Sequence, residues 1–135
     1  MTEALRDWLK QKEGLRLKPY TDTHGWLTVG YGRNLSANGI SILTAEQMLD
    51  EDIIRAQRDV QRYLPWVNDI APARQDAFYH LAFWIGIGSL LRFTKMIGAA
   101  HSGDWETASN ELLNSALNND IPERTQEIAA RLLNG

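Results

Sequence analysis

Residues 12–32 read KEGLRLKPYTDTHGWLTVGYG, and the fold turns on how this stretch is parsed. Upstream of it, residues 3–13 carry Leu5, Trp8 and Leu9 on one helical face. Thr2 stands where a cap should start that helix and Gly14 where one should end it. After Gly14 the period shortens, with Leu15 and Leu17 alternating with Arg16 and Lys18. TDTHG at 21–25 is a cluster of turn formers, and WLTVGYG is rich in aromatic and β-branched residues. The reading is a helix that stops at Gly14 and a hairpin that begins at once, with a short third strand expected near residues 39–42.

Beyond Thr44 the pattern is helical. TAEQ at 44–47 reads as a capping box with Thr44 as the cap. Leu49, Ile53, Ile54 and Val60 then keep helical spacing to about Leu64, and a helix of roughly 20 residues spans about 30 Å. Pro65 stops it. PARQDAFYHLAFWIG at 72–86 is apolar on most sides, the mark of a helix at the centre of a bundle. Shorter helices are expected near 89–92, 94–101 and 104–115, and a last one from Pro122 to about Leu133 with Gly135 past its end. The fold class is therefore α+β and mainly helical, in a single domain 1–135. It comprises a hairpin lobe at about 14–43, a long connecting helix, and a helical lobe at about 65–135 joined by helix 3–13. Two lobes linked by a helix predict a cleft, where ligand sites concentrate.

Composition narrows the function. Hydrophobic residues make up 44% of the chain and charged residues 23%, the balance of a globular protein. Residues 1–33 carry six Lys/Arg against four acids, and the remainder eight against thirteen. Without a strongly basic surface, nucleic acid is not an expected partner. There is no cysteine, which excludes disulfides and thiolate metal sites. His24, His80 and His101 lack paired ligand spacing, so neither a metal nor a cofactor is expected. No apolar run approaches the ~20 residues of a membrane span, and the first residues hold no signal-peptide core. The expectation is a protein that begins in a cytoplasm without stable membrane association. GYGR at 30–33 lacks the ending and following helix of a phosphate loop.

Two carboxyl groups stand out. Glu13 falls at a helix C-terminus, where exposed carbonyls disfavour a negative charge and favour the protonated acid that general acid catalysis requires. Asp22 lies in a turn among hydroxyls and backbone donors, which favour the ionised form. Two carboxyls in opposed environments, without a metal, suit glycoside hydrolysis. The same residues also read as a solvated surface Glu and a turn-forming Asp bonded to its own backbone. Among the tryptophans, Trp8, Trp84 and Trp105 sit at helical spacing and read as core. Trp66 follows a proline, and Trp26, in the hairpin, is the candidate for a sugar-stacking cleft wall.

The spacing Glu, eight residues, Asp, five residues, Thr stands within EGLRLKPYTDT and GWLTVGYG. RQDAFYHLAFWIGIG, GDW and IPER follow later in the chain. Together these closely resemble the phage-type lysozymes, the endolysins of glycoside hydrolase family 24, over nearly the whole chain. The resemblance implies a lysozyme-like fold and cleavage of the β-1,4 bond between N-acetylmuramic acid and N-acetylglucosamine in peptidoglycan. By position it makes Glu13 the general acid, Asp22 the carboxylate that orients or activates water, and Thr28 the hydroxyl that helps hold that water. Asn34 and Phe83 match sugar-contacting positions, and Arg124 matches an Arg near the catalytic Glu. Read without the family, Phe83 is equally a packing residue and Arg124 a first-turn surface charge. The resemblance further implies a monomer that stays in the host cytoplasm until a holin opens access to the wall. A lytic transglycosylase and a non-catalytic peptidoglycan-binding module on the same fold are the alternatives. The chain departs from the family in Trp84, where relatives often carry an amide, in Arg33 in place of His, in a short segment between Gly32 and Thr44, and in its acidic balance.

Overall fold

The computed structural model describes residues 2–135, and the fold is α+β: mainly helical with one small antiparallel sheet. Backbone contacts divide the chain into two compact units, Met1–Gln47 and Met48–Gly135.

In the first unit, helix α1 runs Glu3–Glu13. The Thr2 hydroxyl accepts from the Leu5 N–H at 3.1 Å, and Gly14 closes the helix at φ 68°, donating its N–H to the Lys10 carbonyl. Both caps are those read from the sequence. Strands β1 (Arg16–Thr21), β2 (Leu27–Gly30) and β3 (Arg33–Asn34) follow in antiparallel order. Tyr20 pairs with Thr28 and Thr28 with Asn34, and the β1–β2 register shifts between Arg16 and Tyr20. Pro19, which has no N–H to give, lies in that irregular part of an edge strand, where its missing donor costs least.

The third strand is at Arg33–Asn34, not near residues 39–42. Gly30 and Gly32, both at φ 71°, turn the chain back immediately. Asn34 then caps a short helix α2 (Leu35–Asn38) by accepting from the Ala37 N–H at 3.0 Å. Helix α3 runs Ile42–Tyr63. Its cap is Ser41 rather than Thr44: the Ser41 hydroxyl accepts from the Thr44 N–H at 3.1 Å. The TAEQ pattern sits one turn inside the helix, where a Ser three residues upstream had already taken the role.

In the second unit a 3₁₀ turn, Pro65–Asp69, precedes α4 (Pro72–Ile85), α5 (Ile87–Leu90), α6 (Thr94–His101), α7 (Trp105–Leu113), α8 (Ala116–Asp120) and α9 (Pro122–Asn134). The core is here: Phe78, Leu81, Leu90, Met96, Leu112, Ile128 and Leu132 are fully buried. Helix α4 buries Ala77, Phe78, Leu81 and Ala82 but leaves Phe83 41% exposed, so it is a one-faced helix and not one buried all round. Trp84 and Trp105 pack partly buried against the core. Trp8, expected there too, is 60% exposed. The buried hydrophobic residues among those described begin at Ala56, so the first unit has no core of its own to receive it. None of the described helices is long and apolar enough to cross a membrane.

Two buried hydroxyls are satisfied by backbone carbonyls. Ser109 donates to the Ala129 carbonyl at 2.9 Å and Thr125 to that of Ile121 at 2.8 Å. Arg74 closes the last turn of α9, donating to the carbonyls of Leu132 (2.8 Å) and Leu133 (3.0 Å) with its guanidinium 4.2 Å from the Trp105 ring centroid. A cation at a helix C-terminus also meets the favourable end of the macrodipole. Arg74→Ala is expected to lower the free energy of unfolding by about 1.5–3 kcal/mol. Arg74→Lys should recover little, because an ammonium cannot span two carbonyls and stack on an indole at once. Urea melts of both variants check this, and a loss too small to resolve would remove Arg74 from that role.

Candidate active site

The hairpin turn is built around the backbone of Trp26. Asp22 Oδ1 accepts from the N–H groups of His24 and Trp26, both at 2.9 Å. The Asp22 N–H donates to the Trp26 carbonyl at 2.9 Å, and the Gly25 N–H to that of Asp22 at 3.0 Å. The turn-forming role anticipated for Asp22 is thus present, and it orients the carboxylate instead of leaving it free. The Thr28 hydroxyl donates to the same Trp26 carbonyl at 3.0 Å. Asp22, Trp26 and Thr28 form one hydrogen-bonded unit.

Among the described residues of the first unit, Thr28 is the buried polar one. Its Cα partners are Tyr20 and Asn34, so the three side chains project from the same sheet face. Asn34 is half-buried and its side-chain Oδ1 is engaged as the α2 cap. The Trp26 indole is 47% exposed. Glu13, the last residue of α1, is exposed, and its carboxyl group folds over Gly32. A Cβ built at Gly32 would stand 2.7 Å from the Glu13 carboxyl carbon and 3.1 Å from its Cγ.

Phe83 and Arg124 belong to the second unit. Both line a cavity of about 330 Å³ together with Leu49, Asp76, Tyr79 and His80. Phe83 is therefore not the buried packing residue of the alternative reading. Arg124 is half-buried and has specific partners, unlike a free surface charge. Its Nε–H donates to His80 Nε2 at 2.9 Å, and its guanidinium lies 4.4 Å from the Trp84 ring centroid. His80 and Trp84, four residues apart on α4, share one face and hold the guanidinium between a lone pair and a π surface. The Trp in place of an amide thus supplies a cation platform.

His80 can accept that bond only as the neutral imidazole with its proton on Nδ1. Desolvation of the ring, and then the adjacent Arg124 cation, hold its pKa below the usual 6.5. Glu127 opposes the shift and Arg131 adds to it. Two residues here were not singled out by the sequence. As sequence, Gly32 is one of several glycines that allow a turn, a bulge or close backbone approach, and His80 is weighed only as a metal ligand. The i, i+4 spacing of His80 and Trp84 was the available signal for the second; nothing in the sequence tied Gly32 to Glu13.

The family model for phage lysozyme matches residues 10–127. The chain belongs to the phage lysozyme family. It is 33% identical to an endolysin of Acyrthosiphon pisum secondary endosymbiont phage 1, over 78% of this chain and 72% of the relative. It is 22% identical to a probable T4-type lysozyme of Dictyostelium discoideum, over the whole chain and 96% of the relative. It is 29% identical to the pre-baseplate central spike protein of Enterobacteria phage T4, over 78% of this chain. The match spans 23% of the spike protein's own length. Membership in the phage lysozyme family supports a glycosidase-type enzyme acting on peptidoglycan.

The His80–Arg124 pair carries a measurable sign. Because the folded chain resists protonation of His80, the unfolded chain takes up that proton first. The stabilisation from the neutral ring is complete above pH 6.5 and declines as the pH falls from there through the lowered folded-state midpoint. NMR titration of the His80 ring should give a midpoint below 6.5, and Arg124→Ala should raise it. A midpoint unmoved by Arg124→Ala would mean that the guanidinium is not the neighbour of the ring in solution.

Proposed function

We propose that the protein is a peptidoglycan hydrolase that cleaves the β-1,4 bond between N-acetylmuramic acid and N-acetylglucosamine, with Glu13 as general acid and Asp22 and Thr28 as the holders of the attacking water. The observation that carries this reading is the hydrogen-bonded unit around Trp26. Two backbone N–H groups fix Asp22 Oδ1, and the Thr28 hydroxyl proton is committed to the Trp26 carbonyl. Asp22 and Thr28 therefore both face a water as acceptors. A water that donates one hydrogen to each has its lone pair directed away from them, towards the anomeric carbon of a bound sugar.

In this mechanism the Glu13 carboxylic acid gives its proton to the glycosidic oxygen as the bond to the anomeric carbon breaks. Water adds to that carbon, and Asp22 takes the released proton. Direct attack of this kind inverts the anomeric centre and requires the two carboxyls about 6.5–9.5 Å apart. Trp26, Asn34, Phe83 and Arg124 are assigned to substrate contact: the two rings offer faces to pyranose or acetamido groups. Residues 1–135 act in this reading as one lysozyme-like domain and as a monomer. Host lysis at phage release, with access to the wall through a holin, is the setting that the resemblance to endolysins suggests.

Glu13→Gln keeps the shape of the side chain and removes the transferable proton. It should reduce wall clearing by about 10²–10⁴-fold, the usual worth of a general acid, with little change in thermal unfolding. Asp22→Asn should be severe, and Thr28→Ala milder, because another water can replace the hydroxyl as an acceptor. Turbidity loss of purified walls checks all three. Mass spectrometry of the released muropeptides decides the reaction type. Reducing ends that have gained water support hydrolysis, and 1,6-anhydro ends would make the protein a transglycosylase. Wild-type protein that binds walls and releases no fragment would be a binding module.

A further inference from the structure

We propose that Gly32 is a positioning residue for the Glu13 carboxyl group: the space left by its missing side chain is the seat into which the carboxyl folds. The proposal rests on the assignment of Glu13 as the acid. The hairpin contains its own control. Gly30 and Gly32 share φ 71°, so both need a residue tolerant of the left-handed region. A Cβ at Gly30 would meet nothing within 4 Å. A Cβ at Gly32 would collide with Glu13, 2.7 Å from the carboxyl carbon, with a carboxyl oxygen closer still. Backbone conformation accounts for the first glycine, whereas the second also makes room for a functional group.

Glu13 has reason to need such a seat. It is the last residue of α1, exposed, on a side chain with three rotatable bonds. A general acid must stay within hydrogen-bond reach of the oxygen it protonates, and a displacement of about 1 Å can cost roughly 100-fold in rate. The colliding atoms belong to the free end of a flexible side chain. An added methyl group would therefore push the carboxyl aside and leave the sheet intact. The lesion belongs in kcat and not in folding or substrate capture.

The experiment compares Gly32→Ala with Gly30→Ala on a soluble glycan-strand substrate. Both should lose thermal stability to a similar degree, from the shared φ. Gly30→Ala should keep kcat near the wild-type value. Gly32→Ala should lose about 100-fold in kcat with KM unchanged. Wild-type kcat in Gly32→Ala, or an equal loss in Gly30→Ala, would overturn the proposal. Should Gly32→Ala fold poorly, the double variant with Glu13→Ala decides. A melting midpoint restored to that of Gly30→Ala supports the collision, and one that stays low refutes it. Undiminished lysis by Glu13→Gln would instead remove the acid assignment itself, and this proposal with it.

Discussion

The backbone of Trp26 is where the candidate site is held together. Its N–H goes to Asp22 Oδ1, and its carbonyl takes both the Asp22 N–H and the Thr28 hydroxyl. Each such bond adds only about 1 kcal/mol net, so their importance lies in geometry. A carboxylate in an exposed turn would ordinarily sample several rotamers. Here its orientation and that of the Thr28 hydroxyl are referred to the same peptide group, and β2 extends directly from it. The indole is thereby left to the surface. Asp22 and Thr28 are thereby tied to one another through a single residue's backbone.

Glu13 reaches its place by a different route. Gly14 ends α1 abruptly, at a φ that breaks the helix, and the Glu13 side chain finds a backbone with no side chain to resist it at Gly32. One carboxyl is fixed by donors, and the other lies over a glycine where a side chain would collide with it. In the second unit the corresponding device is cationic. Arg124, from the first turn of α9, is oriented by a neutral imidazole and an indole presented from one face of α4. A guanidinium held without a carboxylate partner among these contacts keeps its donors for an external acceptor.

Much of this was legible because the chemistry is local. Thr2 and Gly14 bracket α1, Pro72 opens α4, Pro122 opens α9, and TDTHG makes the turn: each acts within four or five residues of itself. The errors have equally specific causes. Ser41 captured the cap expected of Thr44 because the two compete for one helix start and the upstream residue engages first. The third strand came early because left-handed glycines on either side of Tyr31 reverse the chain in a tight turn. Trp8 was placed in the core because periodicity shows that a face is apolar and not whether anything covers it.

The sequence by itself determined where the candidate groups stand along the chain: an acid closing a helix, an acid inside a turn, and a hydroxyl on the strand that follows. Those placements are set by caps, turn formers and alternation, which act between near neighbours. Tertiary structure alone decided that Gly32 makes room for Glu13 and that His80 and Trp84 hold an arginine from another helix. Such contacts join residues far apart in the chain, and no local pattern encodes the fit of a side chain into a space that only the folded backbone creates.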